Sequence, residues 1–251
     1  MNSIDSQSLE TPTPAQRPPK DVKLSIIIPV YNESLHVSHV IDRVLKAPLP
    51  TGLEKELIVV DDGSVDGTTE ILKGLNHTLV KVHHSMLNFG KGTAIRVGLK
   101  HATGDFILIQ DGDHEYDPNE IQSVVRPLLE GKALVCYGSR FRGKIDGMLF
   151  RYWLVNKLLV FAVWLLYGVH ITDEATAYKA FTRDVIQSIP LNCRRFEFCP
   201  EITAKVLRRG YSITEVPITY TPRTVEQGKK IRLKDAFSAF WTLLRYRWWR
   251  P

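Results

Sequence analysis

The sequence predicts an α/β fold, Rossmann-like, with a mostly parallel sheet flanked by helices, and three observations carry that prediction. Residues 24–30, 56–60 and 106–109 are mostly apolar with little alternation, as strands buried on both faces are. Between them lie stretches whose apolar residues recur near the 3.6-residue period of a helix packed on one side. Strand and helix alternate at the spacing of right-handed crossovers, which makes most neighbouring strands parallel.

The elements follow in order. Residues 1–21 carry four prolines and few apolar side chains, too little to offset the entropy of ordering, so a disordered tail is expected. The first strand, 24–30, ends in a turn at Tyr31-Asn32. Asn32 is placed to cap a helix whose apolar stripe is Leu35, Val37, Val40, Ile41, Val44 and Leu45, stopped by Pro48 and Pro50. A second strand, 56–60, runs into Asp61-Asp62-Gly63-Ser64 and a helix over 67–73; a third strand covers 79–83, and a helix 91–102. After the strand at 106–109, Asp117, Pro118 and Glu120 have the pattern of a capped helix start, with the helix reaching residue 130 and a further strand over 133–137.

Two of these strands end in acids. Asp61-Asp62 follows one, and Asp111, Asp113 and Glu115 follow another. Ligands of open α/β sheets bind beyond the carboxyl ends of the strands, so both sets reach the same edge, joined there by residues 29–33. Close-set carboxylates raise one another's pKa until a cation neutralises them, and an all-oxygen set suits Mg²⁺ or Mn²⁺ bridging to phosphate. A bare Asp-x-Asp is also what an acidic surface turn looks like; the second acidic strand end favours the nucleotide-type site.

The 251 residues, 44% hydrophobic, can bury a full core. A net charge of +6 and a pI near 9.2 favour anionic partners: nucleic acid, phosphorylated substrates or an acidic membrane surface. No RNA-binding signature accompanies the basic, Trp-rich C-terminus, so nucleic acid is not expected. Gly90-Lys91-Gly92 lacks the spacing of a triphosphatase loop, and His83-His84 reads as a strand end rather than a metal pair. Cys136, Cys193 and Cys199 are odd in number, without a Cys-x-x-Cys pair, which predicts reduced thiols and a cytosolic protein. With no apolar h-region after a basic start, no secretory signal is expected.

Taken together, residues 28–33, Val59-Val60-Asp61-Asp62-Gly63-Ser64, Asn88-Phe89-Gly90-Lys91-Gly92 and Asp111-Gly112-Asp113 resemble family 2 glycosyltransferases of the GT-A fold. Gly138-Ser139-Arg140-Phe141, Thr172-Asp173 with Thr176-Ala177-Tyr178-Lys179, and Glu197-Phe198 through Ile202 narrow the resemblance to the dolichyl-phosphate mannose synthase-like branch. It covers about residues 22–232 as one glycosyltransferase domain, leaving 233–251 as an appended helix. The resemblance implies an inverting, metal-dependent transfer of a hexose from a UDP- or GDP-sugar to a polyprenyl phosphate, dolichyl or undecaprenyl. It implies that Pro29, Tyr31, Glu33, Val60 and Asp62 hold base and ribose, and that Lys91, Gly112 and Arg140 belong to the donor site. Arg223, with Lys229 or Lys230, is expected to close over the diphosphate. Asp111, Asp113 and Glu115 become the metal ligands, Glu115 standing where better-known members have Gln. Asp113, Arg140 and Asp173 become the catalytic set. Gly112, His114, Ala175 and Ala177 depart from the branch, which bears on the donor sugar more than on the reaction.

The chemistry is consistent with that set. A sugar leaves a diphosphate readily when cations meet the developing charge. A phosphate acceptor is already ionised near neutral pH and needs positioning, whereas a hydroxyl acceptor needs a base, for which Asp173 is the candidate. Arg140, Arg142, Lys144, Arg151, Arg194 and Arg195 supply cations for a phosphate. Two rivals therefore stand beside the lipid reading: a transferase to glycan or protein hydroxyls, and a non-catalytic nucleotide-sugar-binding membrane protein.

Residues 151–168 form the most apolar stretch, short for a span and interrupted by Asn156 and Lys157. Trp and Tyr at both ends beside Arg151 fit a helix lying in the headgroup region; a buried core helix fits equally. Phe237, Phe240, Trp241, Leu244, Trp248 and Trp249 interleave with Lys234, Arg245, Arg247 and Arg250 in a basic aromatic helix over 233–251 suited to anionic lipid. The expected location is cytoplasmic and peripheral, on the membrane surface itself or through a separate membrane subunit.

Overall fold

A computed structural model describes residues 22–223 and 233–250. In chain order the elements are β1 (Val22–Val30), α1 (Val37–Lys46), β2 (Leu53–Asp61), α2 (Thr68–Lys73), β3 (Val80–His84), α3 (Lys91–His101), β4 (Phe106–Ile109), a short 3-10 turn (Pro118–Glu120), α4 (Ile121–Leu129), β5 (Val135–Ser139), α5 (Phe150–Tyr167), β6 (Lys179–Thr182), α6 (Arg183–Ser188), α7 (Phe198–Arg208), β7 (Thr214–Pro217) and α8 (Leu233–Tyr246). Residues 1–21, where a disordered tail is expected, lie outside the described residues, as do Lys229 and Lys230.

The strands form one sheet in the order β3-β2-β1-β4-β6-β5-β7. β1 pairs parallel with β2 and β4, and β5 with β7; β6 runs antiparallel between β4 and β5. The absence of alternation has its cause here. Ile26 and Ile28 pack with Val40, Ile41 and Val124 on one face, while Ile27 packs with Ile58, Ile95 and Phe198 on the other. Both faces are dry, so every β1 side chain is apolar or satisfied. The register sets Val30 opposite Asp61 and Ile27 opposite Ile109, which brings the carboxyl ends of β1, β2 and β4 level.

Local details depart from the expected ones. Asn32 does not cap α1: it sits at φ 50°, and its Oδ1 accepts from the Val65 amide at 2.9 Å. The loop, instead of starting a helix there, spends that side chain on joining the β1 and β2 ends, and Leu35 is left 87% exposed. Asp117 does cap, accepting from the Asn119 amide, but Glu120 turns away from the box to accept from the amide and hydroxyl of Thr219. β6, β7 and α7 have no counterpart among the sequence-predicted elements.

α5 settles the choice between a core helix and an exposed one. It is 18 residues long, only 17% of it is buried, and among the described residues it is the one helix long and apolar enough to cross a membrane by length and composition. At 18 residues it is still short for a span, and its two polar residues both turn to protein partners. Asn156 is buried against Arg140, and the Lys157 ammonium lies 4.0 Å from the Phe141 ring centroid. Leu159 and Val163 pack on Leu243 and Tyr246 of the α8 segment, and the opposite faces of both helices show Phe161, Trp164, Leu165, Phe237 and Trp241.

Candidate active site

The cleft is built from the loops after β1, β2 and β4. The first two interlock: the Asn32 amide donates to Ser64 Oγ, the Glu33 amide to Thr68 Oγ1, and the Ser34 amide to Asp66. Burial opposes the Asp66 charge, but the amide and hydroxyl of Thr68 with the Ser34 amide together hold its carboxyl down to about 2. Gly63 and Gly90 are obligatory here. At φ 73° and 99° they occupy the left-handed region, and an added Cβ meets Leu87 and Arg194 backbone atoms at 2.5 Å.

The acids after β2 face inward to protein donors. Asp61 is fully buried and accepts from the Ser64 amide, from Thr69 Oγ1 at 2.5 Å, and pairs with His84 Nδ1 at 3.1 Å. Burial opposes the charge, but these partners together hold its carboxyl below the ordinary range. Asp62 accepts from the Phe89 and Gly90 amides at 3.0 and 2.6 Å, so it shapes the loop before α3 while still lining the cleft. Val60 does not reach the cleft; its side chain belongs to the core.

After β4 the partners are cations. Lys91, the first residue of α3, pairs with Asp111 at 2.5 Å. Arg223 reaches across to Glu33 at 3.0 Å and Asp113 at 2.5 Å. Burial, then Asp111 and Glu115, push the Asp113 carboxyl up to about 7, with Arg223 pulling the other way. Two facing carboxylates, one of them too crowded with negative charge to ionise freely, are a donor set that fits a hard divalent cation. Glu115 is placed differently from the expectation of a third ligand. It accepts from Tyr220 Oη at 2.9 Å and from the Arg223 amide at 2.7 Å, fixing the segment that carries Arg223. Among the described residues no three carboxylates, histidines or cysteines converge as a ready metal shell.

Pro29, Tyr31, Glu33, Asp62, Gly112 and Asp113 line this polar cleft. A second pocket, mostly apolar, opens beside it toward α5 and α8, walled by Met148, Leu149, Val155, Leu159 and Ala239. The two share Lys91, Asp111, Glu115, Phe196 and Arg223, which therefore mark the junction. Arg140 lines the apolar pocket rather than the polar cleft. Its Nε and Nη2 each donate to Asp173 at 2.7 Å, its amide donates to the same carboxylate, and Nη2 also donates to Asn156 Oδ1 at 2.9 Å. Asp173 is fully buried under that clamp. Tyr220, Phe196 and Asn156 are site residues the sequence alone does not single out. For Asn156 a signal existed: a lone amide inside the most apolar stretch.

Residues 25–189 match the model of Glycosyl transferase family 2. The chain is 31% identical, over 75% of its length, to an undecaprenyl-phosphate 4-deoxy-4-formamido-L-arabinose transferase of Aeromonas hydrophila, and 30% identical over 82% to the transferase of the same name from Shewanella sediminis. It spans about six tenths of those relatives, 58% and 61% of their lengths. It covers 96% of a UDP-N-acetylglucosamine–dolichyl-phosphate N-acetylglucosaminyltransferase of Methanococcus voltae, at 28% identity over 89% of this chain. Among solved structures, glucosyl-3-phosphoglycerate synthase from Mycobacterium tuberculosis in complex with Mn²⁺, UDP and glucosyl-3-phosphoglycerate superposes with a TM-score of 0.68 at 22% identity, over 92% of this chain and 81% of that one. The sheet and its flanking helices are accordingly those of the GT-A fold. The acids at the ends of β2 and β4, and those two strands themselves, lie within the matched residues, and the chain belongs to glycosyl transferase family 2.

Proposed function

We propose that this protein is an inverting glycosyltransferase that moves a hexose from a UDP- or GDP-sugar to a polyprenyl phosphate at the cytoplasmic face of a membrane. The observation that carries the reading is the junction of two unlike pockets. A polar cleft, suited to a nucleotide diphosphate, meets an apolar pocket, suited to a prenyl chain, at Lys91, Asp111 and Arg223. The apolar pocket lies under α5 and α8, whose exposed aromatic faces suit a lipid surface. The relatives named for undecaprenyl- and dolichyl-phosphate support the same acceptor class.

That reading gives each site residue a role. The polar cleft holds base and ribose between Pro29, Tyr31 and Asp62. Asp111 and Asp113 would hold Mg²⁺ or Mn²⁺, which when bound offsets the charge of the departing diphosphate. Lys91 and Arg223, paired with these carboxylates, would supply the cations that meet the same phosphates. An acceptor phosphate oxygen, already ionised, attacks the anomeric carbon from the side opposite the diphosphate, and the carbon–oxygen bond to the diphosphate breaks with inversion. Asp173, with both oxygens engaged by Arg140, serves as that cation's anchor and is poorly placed as a base for a hydroxyl acceptor. That arrangement disfavours the hydroxyl-acceptor rival.

The test is transfer from radiolabelled UDP- and GDP-sugars to polyprenyl phosphate in detergent, with Mg²⁺, Mn²⁺ or chelator. Metal-dependent label in the organic phase is expected. Label only in free sugar or soluble glycans would overturn the lipid acceptor.

A further inference from the structure

Asn156 is out of place by composition. It sits on α5 between Val155 and Lys157, it is only 8% exposed, and a buried amide costs stability unless bonded. Both ends of its side chain are spent. Nδ2 donates to the Tyr152 carbonyl one turn earlier at 2.7 Å, and Oδ1 accepts from Arg140 Nη2 at 2.9 Å. A leucine there would suit the helix better, so the reason for the amide lies at the Arg140 end.

Arg140 is held from two sides. Asp173 grips Nε and Nη2 from the loop before β6, and Asn156 grips Nη2 from α5. Nη1 has no protein acceptor among the described residues, and the guanidinium, 4.9 Å from the Tyr220 ring centroid, lines the apolar pocket. The choice of an amide over a carboxylate matters electrically. Arg140 with Asp173 is already a neutral pair, and a second carboxylate would give the cluster a net negative charge facing the acceptor. Asn156 supplies the second acceptor while adding none.

Building on the lipid-phosphate reading above, we propose that Asn156 is a positioning residue: it fixes Arg140 so that Nη1 presents to the acceptor phosphate. The helix with its outer face exposed for lipid thereby also orients the cation that receives the lipid's phosphate.

The experiment measures acceptor KM, donor KM and kcat for the full chain in detergent, with flotation on vesicles of phosphatidylcholine and phosphatidylglycerol. Asn156→Ala is expected to raise the polyprenyl-phosphate KM about tenfold, the loss of one charge-assisted hydrogen bond, with donor KM within about twofold and flotation unchanged. Asn156→Asp, which keeps an acceptor for Arg140 but adds charge, is expected to raise it further. Asn156→Leu separates positioning from packing: it restores the apolar helix and the thermal midpoint, yet is expected to be as defective as the alanine variant. An acceptor KM at the wild-type value in Asn156→Leu, or a parallel rise of donor and acceptor KM in Asn156→Ala, overturns the proposal. Failure of the wild-type chain itself to label polyprenyl phosphate overturns the reading on which it rests.

Discussion

The two acidic strand ends look alike in sequence and differ in every partner. Asp61-Asp62, after β2, meets amides, hydroxyls and one imidazole of its own loops. Asp111 and Asp113, after β4, meet the long cationic side chains of Lys91 and Arg223. Amides belong to the fold and cannot leave without disrupting it, whereas a long cationic side chain swings away when a better counter-charge arrives. The first pair builds the cleft wall, and in the proposed reaction the second holds exchangeable charge. Position beyond a strand therefore marks a site, and the kind of partner tells scaffold from chemistry.

Substitutions at the two ends should accordingly separate. Asp113→Asn is expected to reduce kcat at least about a hundredfold in saturating Mn²⁺, since in the proposed reaction it removes charge where the diphosphate departs, with the urea midpoint unchanged or slightly raised because a crowded buried carboxylate is relieved. Full turnover in that variant would remove Asp113 from the metal set. Asp61→Asn should do the reverse. Losing the charge beside Thr69, Ser64 and His84 is expected to cost about 2 kcal/mol of unfolding free energy, while the fraction of activity gained on adding Mn²⁺ stays that of the parent. A variant that unfolds normally but loses its metal response would put Asp61 in the chemistry and erase the distinction.

How far the sequence shows this depends on how local each cause is. β1, β2 and β4 are legible because a strand buried on both faces must be apolar along its length, and their acids follow within a few residues. β6 and β7, Lys179–Thr182 and Thr214–Pro217, are four residues each, one antiparallel and one ending in proline. Their strand character comes from neighbours already in place. The same holds within the site. Asp111 and Asp113 announce themselves by spacing, but the engagement of Glu115 by Tyr220, 105 residues away, has no local trace. Nor does anything near Asp173 foretell that Arg140 occupies both of its oxygens.

Glu174 sharpens the comparison as a third kind of acid, with neither amides nor a mobile cation. It is 1% exposed, and neither carboxylate oxygen makes a hydrogen bond of normal geometry. Burial pushes its carboxyl up to about 7, opposed only in part by the Lys179 ammonium and the Thr203 hydroxyl nearby. Unfolded, the same group titrates near 4.5. Between those values the folded chain keeps a proton that the unfolded chain has lost, so its contribution to stability falls as pH rises from 4.5 to 7 and is flat above. Glu174→Gln abolishes that fall. The difference from the parent is least favourable to the variant near pH 4, grows through pH 7 and levels by pH 8 after a rise of about 3 kcal/mol; the unpartnered amide lowers the whole curve equally and leaves that rise unchanged. Urea unfolding of both proteins across pH 4–8 measures the difference directly. A pH-independent difference would mean that Glu174 is ionised and paired in the folded state, an acid of the first kind after all.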